Sequence, residues 1–158
     1  ETVGATGVEA VIKWPNDVLV EGDGEERKLA GILTEIATSA GALEWVIIGI
    51  GLNANIDSDH LPPGSTSLRA LVGKDVDRVD VTTRLVRAFD RLRDNPDGIP
   101  DAWRRHAITI DREVRVTTED GIIEGRAVDI DASGRLLVEV DDSIIRVAVG
   151  DCEHLRPA

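Results

Sequence analysis

Five residues decide how the first half of this chain folds: Lys13-Trp14-Pro15-Asn16-Asp17. They follow the apolar run 8–12, which predicts a short buried strand, and Pro15 lacks the N–H that a regular strand needs to continue. Residues 18–20 predict a further extended segment, and two longer apolar segments, residues 29–36 and 45–52, predict strands separated by a turn of small residues at 37–43. Consecutive strands with short connections favour an antiparallel meander, with the charged stretch 13–17 at the rim of its sheet.

The composition indicates a folded chain. Its 158 residues and 42% hydrophobic content suffice for one domain and a small additional module. No apolar run approaches the roughly 20 residues that cross a bilayer, so no membrane association is expected. A single cysteine, Cys152, excludes an internal disulfide and favours a reducing compartment, the cytoplasm. We expect Cys152 to pack as a small apolar residue near the end of a strand.

The charge balance is strongly acidic. With 30 acidic and 18 basic residues the formal net charge is -12, and Lys13, Lys28 and Lys74 are the lysines of the chain. Such a surface repels phosphate backbones, so nucleic-acid binding is not expected. Many carboxylates with few lysines predict a protein kept soluble in high salt, where ions screen self-repulsion; ordinary acidic drift is the alternative.

The middle of the chain predicts helices. Either residue of Ser65-Thr66 is expected to cap a short helix that ends at Val72. Residues 80–83 are expected to cap a second helix, because apolar side chains recur after them at helical spacing. These apolar positions are Leu85, Val86, Phe89 and Leu92. A third short helix is expected over residues 101–107.

From residue 110 onward the pattern changes to short alternating runs separated by Gly- and Asp-containing turns. Runs of this length and spacing predict a small SH3-like β-barrel. We therefore predict an α+β fold with two domains, residues 1–109 and residues 110–158.

The segment 49–55, Gly-Ile-Gly-Leu-Asn-Ala-Asn, has the glycine spacing of a dinucleotide fingerprint. That fingerprint requires a helix to begin there, and the following residues 55–63 do not predict one, so a Rossmann fold is rejected. The two glycines still allow a ligand to lie against the backbone. Asn53 and Asn55 offer both donors and acceptors, which suits the edge of a heterocycle such as adenine.

Lys13 has two interpretations. It is either a surface cation whose stem packs on Trp14, or a fixed ammonium that stabilises developing phosphate charge, because Trp14-Pro15 restricts the backbone beside it. Asn16 and Asp17 are turn formers first and ligand contacts second. The three histidines lie far apart in sequence and no metal-site spacing occurs, so the metal expected is Mg²⁺ carried in with a nucleotide.

Three motifs in order resemble those of biotin protein ligases: the stretch 13–17, then Lys28-Leu29-Ala30-Gly31-Ile32-Leu33-Thr34-Glu35, then the segment 49–55. Residues 125–138 are similar to the small SH3-like domain at the end of that family. The resemblance covers nearly the whole chain. It implies that residues 1–109 form part of a class II synthetase-like sheet with helices.

The resemblance implies a ligation in two steps. Biotin is activated with ATP, in the presence of Mg²⁺, to biotinyl-5′-AMP, and the biotinyl group then passes to a lysine of a biotin carboxyl carrier protein of an acetyl- or acyl-CoA carboxylase. The essential lysine of the family falls on Lys13. The other positions that the resemblance assigns to biotin or ATP binding are Trp14, Asn16, Asp17, Lys28, Gly31, Gly49, Gly51, Asn53, Asn55 and Arg156.

The family's Gly/Arg-rich loop, which closes over biotinyl-AMP, precedes the motif at Lys13 and has no counterpart between Glu1 and Lys13. We therefore expect the C-terminal portion of a ligase, weak or inactive by itself. The alternative is a fragment without turnover that retains a carrier-protein or dimerisation surface. A weaker alternative, an RNA-binding barrel, is opposed by its acidic loops.

Overall fold

The computed structural model describes residues 2–22 and 24–155. Contacts between backbone positions divide the chain into two compact units. The first comprises Glu1–Ala10 and Asn16–Arg84, and the second comprises Val11–Pro15 and Leu85–Ala158. The division into domains at residues 109 and 110 stays a prediction, since compactness alone does not define a domain boundary.

The described strands and helices confirm an α+β fold. The strands are β1 (Val11–Lys13), β2 (Asp17–Gly22), β3 (Glu25–Ser39), β4 (Ala42–Leu52), β5 (Glu113–Thr118), β6 (Gly121–Ile130), β7 (Leu136–Val140), β8 (Ser143–Val147) and β9 (Asp151–His154). The α-helices are α1 (Leu68–Val72), α2 (Arg78–Asp94) and α3 (Ile99–His106). Short 3-10 helices occupy Gly4–Thr6, Ser58–His60 and Pro96–Gly98. None of the helices in the described part of the chain has the length and apolar character that a membrane crossing requires.

The first unit contains the predicted antiparallel meander of β2, β3 and β4. Strand β2 pairs with β3 from Asp17↔Gly31 to Gly22↔Glu25, and β3 pairs with β4 from Ala30↔Leu52 to Ser39↔Ala42. Strands β3 and β4 are longer than predicted. Ala40 and Gly41 both have positive φ, of 49° and 80°, and two such central residues allow a tight hairpin turn where a longer one was expected.

The core of the first unit lies where the meander meets α1 and α2. Its buried members are Val8, Val20, Leu29, Leu68 and Val81. Leu29 and Leu68 are fully buried, and each such side chain contributes about 1.5–3 kcal/mol relative to an exposed position. The outer part of β3 and β4 differs, because its apolar side chains on both faces of the ribbon are exposed.

The helix caps differ from those predicted. Ser67, not Ser65-Thr66, caps α1, because its Oγ accepts a hydrogen bond from Ala70 N at 3.2 Å. The second helix begins at Arg78, where Asp77 Oδ1 accepts from Val79 N at 2.8 Å. Asp80, predicted as part of the cap, lies inside the helix and pairs with Arg84. Several neighbouring polar residues precede each helix, and any of them could serve as the cap. The sequence alone therefore does not select the residue that does.

The second unit has a five-stranded antiparallel sheet in the order β8-β7-β6-β5-β9, which gives a barrel-like domain as predicted. Its buried core is formed by Trp14, Val114, Val116, Ala127, Ile130, Leu136, Val138, Val147 and Cys152. Cys152 lies on β9 with its side chain 1% exposed, so the prediction of a small packing residue is confirmed. Burial raises the pKa of the Cys152 thiol to about 11.

Candidate ligand-binding site

A row of small residues crosses the meander of the first unit. Asp17 on β2 is the cross-strand partner of Gly31 on β3, and Gly31 is the partner of Gly51 on β4. We call Gly31 and Gly51 the glycine row. Neither residue has a Cβ, so the backbone of two adjacent strands is open to a ligand beside the Asp17 carboxylate.

Lys28 lies against this row. Its Nζ is 2.5 Å from Asp17 Oδ1, with the two side chains 46% and 24% exposed. A Cβ placed on Gly31 would lie 3.3 Å from Lys28 Cε and 3.4 Å from Nζ, so the ammonium rests over the glycine. The pair is exposed enough for an anionic ligand to approach the ammonium from solvent.

The backbone of Lys28 is held by the loop that precedes α1. Lys28 N donates to Gly64 O at 2.8 Å, and Thr66 N donates to Lys28 O at 2.9 Å. Thr66 is 2% exposed, which removes these bonds from competing water. The base of the Lys28 side chain is therefore fixed while its ammonium is half-exposed.

Asn16 joins the end of the motif 13–17 to β3. Its Nδ2 donates to Ile32 O at 2.9 Å, and its backbone O accepts from Ile32 N at the same distance. This arrangement is typical of an asparagine that fixes a turn. It also determines where Asp17 enters β2, one residue later.

The two asparagines that follow β4 differ in what their side chains bond. Asn55 Oδ1 accepts from Val76 N, and its Nδ2 donates to Val76 O, both at 2.9 Å. Asn53 Nδ2 donates to Thr66 O at 3.0 Å, and within the described residues no donor reaches its Oδ1. Asn55 therefore joins two loops, whereas Asn53 retains an acceptor for a ligand.

Lys13 and Trp14 belong to the second unit. The Trp14 ring is 3% exposed in the core of that unit, and its Nε1 donates to Gly134 O at 3.1 Å. Trp14 thus stabilises the barrel with its ring and its only polar side-chain atom. Lys13 is half-buried, and its charge is close enough to oppose, without cancelling, the rise in the pKa of Cys152. The Trp14–Pro15 peptide bond is cis.

The structure brings together Asp17, Lys28 and the glycine row, and Asn16 immediately precedes β2. Gly49 continues β4 two residues before Gly51, opposite Leu33. Arg156, the last residue assigned by resemblance, lies outside the described residues. No group of three or more metal-ligating side chains that could hold an ion occurs in the described ranges.

Sequence reasoning missed Thr109 and His154. Thr109 is fully buried; its Oγ1 accepts from Trp14 N at 3.0 Å and lies 3.1 Å from His154 Nε2. A threonine between Ile108 and Ile110 was the available indication, since a buried hydroxyl in an apolar run requires a hydrogen-bond partner.

Two family models match the chain. The model of the biotin/lipoate A/B protein ligase family matches residues 1–53, and that of the biotin protein ligase C terminal domain matches residues 109–155. The meander with its ordered motifs and the C-terminal barrel-like domain therefore match, region by region, the two parts of a protein of the biotin/lipoate ligase class. The chain is thus similar to biotin protein ligases in both of its matched regions.

Two curated relatives of the chain are named as ligases. The chain is 35% identical to the bifunctional ligase/repressor BirA of Bacillus spizizenii, over 94% of this chain and 47% of that protein. It is 37% identical to the biotin–[acetyl-CoA-carboxylase] ligase of Mycobacterium tuberculosis, over 94% of this chain and 54% of that protein. The chain therefore spans about half the length of the curated relatives it matches.

Solved structures agree in fold. The apo biotin protein ligase of Aquifex aeolicus superposes with a TM-score of 0.75 at 22% identity, covering 98% of this chain and 72% of that one. The structure of that ligase in complex with biotin and ATP gives a TM-score of 0.71 at 25% identity, covering 99% of this chain and 68% of that one.

Proposed function

We propose that this chain takes part in the ATP-dependent attachment of biotin to a carrier protein. A biotin carboxylate oxygen attacks the α-phosphorus of ATP, the bond from that phosphorus to the bridging oxygen breaks, and pyrophosphate leaves. The amine of a carrier lysine then attacks the acyl carbon of biotinyl-5′-AMP. AMP leaves with the bonding electrons, and the proton of the amine is released.

The observation that carries this proposal is the Lys28–Asp17 pair over the glycine row. An exposed ammonium fixed beside open backbone suits a ligand that has both a flat group and an anionic group. An adenylate has both. Asp17 holds the ammonium in place before a phosphate oxygen replaces the carboxylate as its partner.

Lys13 is proposed as the residue that stabilises charge developing on the α-phosphate. Lys13 is half-buried and its backbone is hydrogen-bonded on both sides, and a charge carried on a fixed backbone is more effective than one that must reorganise. Asn53 is proposed to accept a hydrogen bond from the adenine amino group through Oδ1. Trp14, Asn16, Gly49, Asn55 and Arg156 remain proposed site positions on the resemblance alone.

Mg²⁺ is proposed to arrive with the nucleotide. Since the described residues include no carboxylate or histidine group suited to a dedicated cage, the phosphates of ATP would supply the principal ligands, as is common for this ion. When bound, the ion would offset phosphate charge. The proposed partner is the biotin carboxyl carrier protein of an acetyl- or acyl-CoA carboxylase, and the proposed location is the cytoplasm, where ATP is available.

The test measures pyrophosphate release from ATP in the presence of biotin and Mg²⁺. It is run with the chain alone and with the preceding region of a longer relative supplied in trans. We expect release that is lost in Lys13→Ala and retained in Lys74→Ala, a matched change at an exposed lysine. Absence of release in both formats, or unchanged release by Lys13→Ala, would contradict the proposal.

A second proposal concerns self-association of two copies through β3 and β4. Leu33, Ile36 and Ile47 are 71%, 64% and 55% exposed, and exposed apolar surface of this extent on one ribbon marks an interaction site. Sedimentation velocity over a range of concentrations tests it. We expect a dimer that Ile47→Glu weakens and that Val79→Glu, at an exposed valine on α2, leaves intact; a monomer throughout would refute it.

A further inference from the structure

The backbone on both sides of Lys13 is bonded to the segment 107–109. Ile12 forms a parallel bridge with Ala107, and Ile12 O accepts from Ile108 N at 2.9 Å. In a regular parallel ladder the next donor along the strand, Trp14 N, would bond a backbone carbonyl. Here it donates to the side-chain hydroxyl of Thr109 at 3.0 Å.

The Thr109 hydroxyl is itself held in one place. Its side chain is fully buried, and His154 Nε2 lies 3.1 Å from Oγ1. His154 is in register with Val114 on β5, and Leu155 N donates to Glu113 O at 2.8 Å just beyond it. A hydroxyl with two directional partners from different strands has little rotational freedom.

We propose that Thr109 and His154 are positioning residues for Lys13. The inference rests on the proposed function only in taking Lys13 as the reactive ammonium. Peptide groups on either side of Lys13 are fixed, by Ile108 N on one side and by the Thr109 hydroxyl on the other. Loss of the second bond lets the Lys13 backbone rotate, and a displacement of about 1 Å at a catalytic group is enough to lower a rate by orders of magnitude.

The placement of Lys13 is measurable without turnover, because the chain has three lysines that report on different positions. Trace acetylation with acetic anhydride, read by mass spectrometry, gives the relative reactivity of Lys13, Lys28 and Lys74 in one sample. In Thr109→Val we expect Lys13 labelling to rise about two- to tenfold, the range set by one hydrogen bond. Lys28 and Lys74 serve as internal references and should not change.

Two further variants separate positioning from a loss of packing. Thr109→Ser keeps the hydroxyl and should restore the original Lys13 reactivity. Thr83→Val removes a hydroxyl that donates to Val79 O on the exposed surface of α2, and should alter none of the three lysines. Amide hydrogen exchange at Trp14 N should increase in Thr109→Val by about the same factor as the labelling.

If Thr109→Val does not fold, as judged by circular dichroism, His154→Leu with His154→Gln as its conservative partner gives the same comparison. Unchanged Lys13 labelling in the folded variants would overturn the inference, and so would an equal rise at all three lysines. Pyrophosphate release adds a second readout: kcat should fall with little change in KM for ATP. No release by the unsubstituted protein would contradict the proposed function, while the labelling would still decide the positioning role.

Discussion

Asp17 and Lys28 form an ion pair whose Nζ–Oδ1 distance is 2.5 Å, and it lies over Gly31 because that residue has no side chain. The pair joins β2 to the start of β3 at the position where the meander exposes its backbone. An exposed pair of this kind contributes little to stability, about 0–1 kcal/mol. We therefore expect the pair to contribute to ligand binding rather than to stability.

Gly31→Val should reduce ATP affinity about tenfold, because the new side chain displaces the Lys28 ammonium. Titration calorimetry with ATP measures it, and circular dichroism confirms that the strand is kept. Gly4→Val is the matched control, since a Cβ at Gly4 meets nothing within 4 Å. Equal affinity in the Gly31 variant and the unsubstituted protein would refute a role for the Lys28 position.

Asn55→Ala should destabilise the first unit by about 1–2 kcal/mol, because it leaves both backbone groups of Val76 without their partners. Urea unfolding measures the change. Asn55→Asp keeps the acceptor for Val76 N, so its free energy of unfolding should fall by less than that of Asn55→Ala. If Asn55→Ala unfolds at the same urea concentration as the unsubstituted protein, the side chain has no structural role and a ligand contact becomes the better account.

Gly125→Ala should destabilise the barrel-like domain by about 1–3 kcal/mol. A Cβ at this position would lie 2.2 Å from the backbone O of Glu139 on the paired strand, and a backbone atom cannot move aside as a side chain can. Gly98→Ala is the control, with its nearest atom at 3.9 Å, and should change stability by less than about 0.5 kcal/mol. Equal thermal stability of the two variants would contradict the close approach.

The buried thiol of Cys152 should make stability fall at high pH. Its pKa is raised from 9.0 to about 11, so the folded state favours the protonated thiol. This contribution is complete below pH 9 and is lost as the pH rises toward 11, by roughly 2 kcal/mol. Denaturant unfolding between pH 8 and 11 measures it, and Cys152→Ala should remove that part of the decline. An identical decline in Cys152→Ala would show that the Cys152 thiol does not cause the loss of stability at high pH.

The meander and the barrel-like domain were predictable because alternating apolar residues and Gly/Asp turns are local properties of the sequence. The long hairpin of β3 and β4 was underestimated, since Ala40 gives no sign in the sequence that it adopts positive φ. The caps were misplaced because Ser65, Thr66 and Ser67 are equivalent candidates until the loop is folded.

The candidate site was predictable to a smaller extent. The ordered motifs indicated Lys28, Asp17 and the glycines as site positions. They did not indicate that Lys28 and Asp17 form an ion pair. The bond from Trp14 N to the Thr109 hydroxyl joins residues 95 apart in sequence, and no local pattern encodes such a contact. Asn55 was placed with Asn53 by spacing, although only the structure reveals that its side chain is bonded to Val76.

Residues 11–15 pack with the second unit although both of their neighbouring segments belong to the first. The C-terminal barrel-like domain is thus not a continuous piece of the gene. A protein made of residues 110–158 alone would lack the indole of Trp14, leaving a void the size of a tryptophan in its core. A gene fragment that encodes the complete barrel-like domain must therefore also encode residues 11–15, about a hundred codons upstream.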